Sequence, residues 1–184
     1  SAELLGGLAF AVSISVLFGA VSEAGALMDT LIGFSFGALV DPITGNNASI
    51  ISQGYALVGV AVFIAINGDA WVIQGLNHTY DLVPLVDYPA LGSMVAGVQG
   101  AFTGIFVSAI ELAAPVMIAV IITDAAFGVV ARVVPQLNVF SVGFPAKVTV
   151  GLIVLGVSLP FAAGWISDQL QQSVAAALQS LKVA

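Results

Sequence analysis

Residues 90–134 form an apolar run of 45 residues that carries charge only at Glu111, Asp124 and Arg132. As a helix this run would be roughly 65 Å long at ~1.5 Å per residue. The hydrocarbon core of a bilayer is only ~30 Å thick. A helix that is apolar on every side must be buried, either in lipid or against other protein. The rest of the chain is of the same kind: 60% of its 184 residues are hydrophobic, 7% are charged and the mean hydropathy is +1.14. Soluble domains are nearer 45–50% apolar and about a quarter charged. A water-soluble fold is excluded, and the chain reads as an all-α membrane protein with long kinked helices and helical hairpins.

The other segments repeat the length problem. Residues 4–22 are uncharged, and helix-compatible sequence continues past Glu23 and Asp29 to about residue 40. Such a helix would be roughly 55 Å long, so it either breaks near residues 23–25 or projects beyond the lipid. Asp41-Pro42-Ile43-Thr44-Gly45-Asn46-Asn47 predicts a loop. A second span is expected over residues 49–66, ended by Asn67-Gly68-Asp69. Residues 70–89 hold Trp71, Tyr80, Tyr88, Asp81 and Asp87, which suits an interfacial segment on the non-cytoplasmic side. Pro115 is expected to kink or break the long run. After the turn at Pro135-Gln136-Leu137-Asn138, a helix over about residues 139–161 should be interrupted at Pro145 and Pro160. An amphipathic helix over residues 165–181, with Ile166, Leu170, Val174 and Leu178 on one side, would then close the chain.

Charge narrows the function. Ten acids against three bases give a net charge of −7, which argues against nucleic acid as a partner. Arg132 and Lys147 flank one polar turn, which the positive-inside rule places in the cytoplasm. With no cysteine, disulfides, zinc thiolates and thiol catalysis are excluded. The N-terminus lacks the basic region of a cleavable signal. It begins without Met and runs almost directly into an apolar helix, as expected of a fragment whose upstream residues are missing.

Two ribbons of small residues recur at every fourth position: Gly7, Ala11, Ser15 and Gly19, and then Gly92, Ala96, Gly100, Gly104 and Ser108. This spacing lets helix backbones approach closely, so these faces are expected to pack on other helices and not on lipid. Charges within apolar sequence (Glu23, Asp29, Glu111, Asp124, Arg132 and Lys147) are functional candidates. On an ideal helix Glu111 and Asp124 stand about 140° apart, which disfavours a shared proton path unless Pro115 reorients the chain. Inter-subunit ion pairs or water-facing positions suit them better. His78 has no partner cluster for a metal, no serine has a base beside it in a recognisable pattern, and phosphate-cradling glycine motifs are absent. No catalytic residue, metal or cofactor is assigned.

The segment Arg132-Val133-Val134-Pro135-Gln136-Leu137-Asn138-Val139-Phe140-Ser141-Val142-Gly143-Phe144-Pro145-Ala146-Lys147 resembles the signature R-x-x-P-Q-L-N-x-F-x-x-G-F-P-x-K of the FliR/SctT family, with every fixed position met. Gly33-Phe34-Ser35-Phe36 followed by Asp41-Pro42-Ile43-Thr44-Gly45 is similar to the family element G-x-S-F…D-P-x-T-G. Residues 63–68, ending in Asn67-Gly68, look like its L-x-x-N-G helix end. Two positions depart from the pattern: Asp69 stands where many relatives have His, and residues 29–31 lack a Gln common before G-x-S-F.

The resemblance implies a subunit of the export gate of a type III protein secretion system, flagellar more than injectisome. It would assemble with FliP-like and FliQ-like subunits in a helical hetero-oligomer that unfolded substrate proteins cross. FlhB-like and FlhA-like subunits would act beside it, in the bacterial inner membrane and the flagellar basal body. Family members carry further N-terminal helices. By resemblance, residues 1–89 are a FliP-like part whose segment at about 31–47 is the channel plug, with Gly33, Phe34, Ser35, Phe36, Asp41, Pro42 and Gly45 in it. Residues 90–184 are a FliQ-like hairpin and C-terminal helix, its tip cytoplasmic, with Arg132 to Lys147 serving assembly. Such cores sit largely above the bilayer plane, which accounts for helices longer than a membrane. The alternative is a secondary transporter of small solutes or ions, with helices broken at Pro115 and Pro145 beside Glu111 and Asp124. It would need an inverted internal repeat, and the sequence displays none.

Overall fold

The computed structural model describes residues 2–35, 49–82, 91–134, 136 and 138–180. In order along the chain these form α1 (Ala2–Ile32), α2 (Ile50–Ala65), α3 (Gly68–Leu82), α4 (Leu91–Val133) and α5 (Val139–Ser180). No strand occurs among the described residues.

No helix break forms at residues 23–25, Pro115, Pro145 or Pro160. Helix α1 passes through residues 23–25 unbroken, because Ala20, Val21, Ala24 and Met28 make one continuous buried stripe across that point. Pro115 lies inside the 43 residues of α4, and Pro145 and Pro160 inside the 42 residues of α5. Each proline removes one backbone donor and leaves the carbonyl four residues earlier without its helical partner. In α4 the defect is flanked by Ala113 and Val116, both fully buried, so packing holds the helix on either side of it. The separate amphipathic helix expected after residue 161 is the continuation of α5. The discontinuous helices needed by the small-solute transporter reading are therefore not formed at Pro115 or Pro145.

The break at Asn67-Gly68 does form. Ile66 caps α2, Asn67 adopts φ 53°, and α3 starts at Gly68. Asparagine is among the few non-glycine residues that tolerate this left-handed conformation. The two helices meet at 69°. Most of the expected interfacial segment is thus the helix α3, while residues 83–90 lie outside the described ones.

Helix α1 is the central element, packed against α4, α2 and α5. Val21, Ala24, Met28 and Ile32 of α1 share a core with Ala109, Leu112, Ala113, Val116 and Val120 of α4, which Ile51 and Tyr55 of α2 and Ala162 and Ile166 of α5 close, while Leu17 of α1 packs separately with Leu170 of α5. Between apolar helices in lipid the drive is close van der Waals packing more than water exclusion, and the alanines at this seam permit it. Three segments are long and apolar enough to cross a membrane: Ile14–Ile32, Phe102–Val133 and Ser141–Ser173. The bent pair Ile50–Ala65 and Gly68–Asn77 would make a fourth. Large side chains such as Val157 (76% exposed), Leu57 (73%) and Phe102 (66%) face outward. An apolar exterior of this extent requires lipid or partner protein as its solvent. The chain is an all-α membrane protein.

Candidate functional site

Among the described residues, the sequence-predicted plug and motif candidates gather at two polar places. The first is the junction where α1 ends and α2 begins. Gly33 turns the chain with φ 105°, a conformation open to glycine and strained for other residues. Its amide and that of Phe34 both donate to the carbonyl of Asp29, at 3.0 and 3.1 Å. The Asp29 side chain, 2% exposed, accepts from the Ser35 hydroxyl at 2.8 Å through Oδ2 and from the Ile51 amide at 3.4 Å through Oδ1. Ser49 caps α2 by accepting from the Ser52 amide at 3.0 Å. About two turns lower on α1, the Ser52 hydroxyl donates to the Ser22 carbonyl at 2.8 Å and lies 3.0 Å from the Ser22 hydroxyl. Gly25 closes the crossing: a β carbon there would lie 2.4 Å from the Ser52 Cα.

Of the candidate plug residues, Gly33, Phe34 and Ser35 belong to this junction, with Phe34 packed at the edge of the core. Phe36, Asp41, Pro42 and Gly45 lie outside the described residues. The share of Asp29 and Ser52 in the junction was not legible beforehand. The available signal was an acid one turn before a Gly-x-Ser turn, with a serine pair opening the next helix.

The second place is the tip of the α4–α5 hairpin. Arg132 sits exposed in the last turn of α4, where a cation complements the helix dipole. Asn138 caps α5: its side-chain oxygen accepts from the Ser141 amide at 3.4 Å and its carbonyl from the Ser141 hydroxyl at 2.9 Å. Lys147 donates to Asp124 of α4 at 2.7 Å, the two side chains being 22% and 54% exposed. Farther along, the Trp165 indole donates to Glu111 at 3.3 Å. The two acids expected on different faces of α4 thus both reach α5. Gln136, Asn138, Phe144 and Pro145 are exposed and Gly143 is half-buried. Phe140 is in the first turn of α5, while Pro135 and Leu137 lie outside the described residues.

The small-residue ribbons sit beside the packed seam. A β carbon at Gly19 would lie 3.7 Å from Ile105 of α4 and Ser108 is buried, whereas Gly7, Gly100 and Gly104 have open space where a β carbon would project. Ala11 and Ser15 are exposed as well. The side chains at Gly92 and Ala96 lie outside the described ones. Among the described residues no group of His, Cys, Asp and Glu could hold a metal ion.

Comparison with known proteins adds the following. The chain is 29% identical over 158 residues to the flagellar biosynthetic protein FliR of Pectobacterium carotovorum, covering 86% of this chain and 60% of that protein. It is 31% identical over 156 residues to FliR of Bacillus subtilis, covering 83% and 60%. It is 25% identical over 153 residues to the surface presentation of antigens protein SpaR of Shigella sonnei, covering 83% and 59%. The chain therefore spans about three fifths of the length of these relatives. It also matches, over residues 1–173, the family described as Bacterial export proteins, family 1. With nearly its whole length matched, the chain belongs to the family Bacterial export proteins, family 1.

Proposed function

We propose that this chain is part of a non-enzymatic subunit of a type III protein export apparatus, flagellar in kind. It would join FliP-like and FliQ-like subunits to form the conduit for unfolded protein substrates. The observation that carries this reading is the family match over residues 1–173, which includes the unbroken motif from Arg132 to Lys147. Two of the named relatives, both flagellar biosynthetic proteins, support the flagellar assignment. The bacterial inner membrane and the basal body are the corresponding location, with FlhB-like and FlhA-like subunits as neighbours.

The outward apolar surfaces and the open small-residue positions Gly7, Gly100 and Gly104 are then subunit contacts. The hairpin tip faces the cytoplasm, and the segment at about 31–47 closes the conduit. The division into a FliP-like part (1–89) and a FliQ-like hairpin (90–184) belongs to the same proposal. The test is co-purification of the full-length protein with FliP-like and FliQ-like subunits after mild detergent extraction. A stable monomer that never joins them would sink the proposal. Shortening residues 33–45 should make membranes holding the assembled complex leak ions, and unchanged conductance would count against the plug role.

A further inference from the structure

We propose that Asp29 is a positioning residue that clasps the end of α1 to the start of α2 and so fixes the two ends from which the proposed plug segment is suspended. The inference rests on the plug reading for its consequence, but its geometry is independent of it. Asp29 is 2% exposed in a chain of which 7% is charged. A buried carboxylate is costly unless hydrogen-bonded, and each oxygen of this one has a separate partner. Oδ2 takes the Ser35 hydroxyl on the N-terminal side of the connecting residues, and Oδ1 takes the Ile51 amide on the C-terminal side. The backbone carbonyl of the same residue holds the Gly33 and Phe34 amides. One residue therefore touches both sides of the connection.

The electrostatics favour the same role. The first turn of α2 contains no acidic residue, although a helix N-terminus attracts negative charge. The Asp29 carboxyl places an acceptor oxygen at that N-terminus from the neighbouring helix. Gly25 and Ser22 stand about one and two turns below it on α1 and meet Ser52, so the helices are already in backbone contact beneath the clasp. Separating the end of α1 from the start of α2 would break the Asp29–Ile51 bond, strand a buried carboxylate oxygen and expose the α2 N-terminus together. The junction is thus held closed as a unit.

The test is amide hydrogen exchange on the full-length protein, assembled with its partner subunits in lipid nanodiscs, with ion conductance measured on the same preparations. Asp29→Ala should speed exchange over residues 50–53 by roughly tenfold or more and leave residues 138–147 at the tip unchanged. Asp29→Asn, which keeps one acceptor, should fall between wild type and alanine. Ser35→Ala should give a smaller acceleration at the same residues, and these two variants carry the test if Asp29→Ala fails to assemble. Wild-type exchange at residues 50–53 in the variants, or an equal acceleration at the tip, overturns the clasp. Local acceleration with raised conductance supports it. Local acceleration with unchanged conductance also supports it and counts against the plug reading alone.

Discussion

Gly25 has no room for a β carbon. The atom it would meet is the Cα of Ser52, at 2.4 Å, and backbone yields less readily than the tip of a side chain. Gly151 is a second tight position: its added carbon would meet Cγ1 of Ile32 at 2.7 Å, and Ile32 is β-branched and fully buried, so it has little freedom to move aside. Gly25→Ala should therefore destabilise the protein by about 1–3 kcal/mol, the usual range for overpacking. Gly54→Ala should be neutral or mildly stabilising, because nothing lies within 4 Å of the added carbon. Thermal unfolding midpoints of the two variants in one detergent would check the contrast, and equal midpoints would contradict it. Spacing of small residues alone does not separate these positions. Gly7 and Gly100 belong to regular ribbons and have open space, whereas Gly25 belongs to none and is the close contact.

Among the elements, the break at Asn67-Gly68 was the most legible, because a polar turn pair ends a strongly apolar run. The prolines were the least legible. A proline weakens its own helix by a local amount, and whether the helix survives is decided by neighbours that local sequence does not reveal; for Pro115 these are the helices packed on Ala113 and Val116. The Asp29 junction was hidden for a related reason, since Ile51 lies 22 residues away in sequence. The hairpin of α4 and α5 carries two polar contacts, Asp124–Lys147 and Glu111–Trp165. With Asp124 54% exposed, the ion pair should contribute little in water. A double-mutant cycle on Asp124→Asn and Lys147→Met should give a coupling below about 1 kcal/mol. A coupling of several kcal/mol would place the pair in an apolar surrounding, not at the wet end of the hairpin.

For the whole molecule, composition alone identified the solvent, and the long motif with two shorter ones identified the family. Helix lengths did not yield a span count, because α4 and α5 exceed any bilayer at ordinary tilt: a span of ~30 Å tilted by about 20° uses only about half of a helix ~65 Å long. Orientation is better tested directly. The chain has no cysteine, so Gln136→Cys introduces a single thiol at the exposed turn between α4 and α5. A membrane-impermeant maleimide should label it in inside-out vesicles and leave it unlabelled in spheroplasts. The opposite pattern would invert the cytoplasmic assignment made from Arg132 and Lys147.

The same length has a mechanical meaning. Helices α4 and α5 are joined at one end and antiparallel along their course, so the pair behaves as a lever. Rotating a rod ~65 Å long by about 5° about its far end carries the near end through roughly 6 Å. A displacement of that size at the turn holding Gln136 and Asn138 equals a full helical turn of rise. Small motions among the packed helices would thus reach the tip as movements large enough to exchange one neighbour for another.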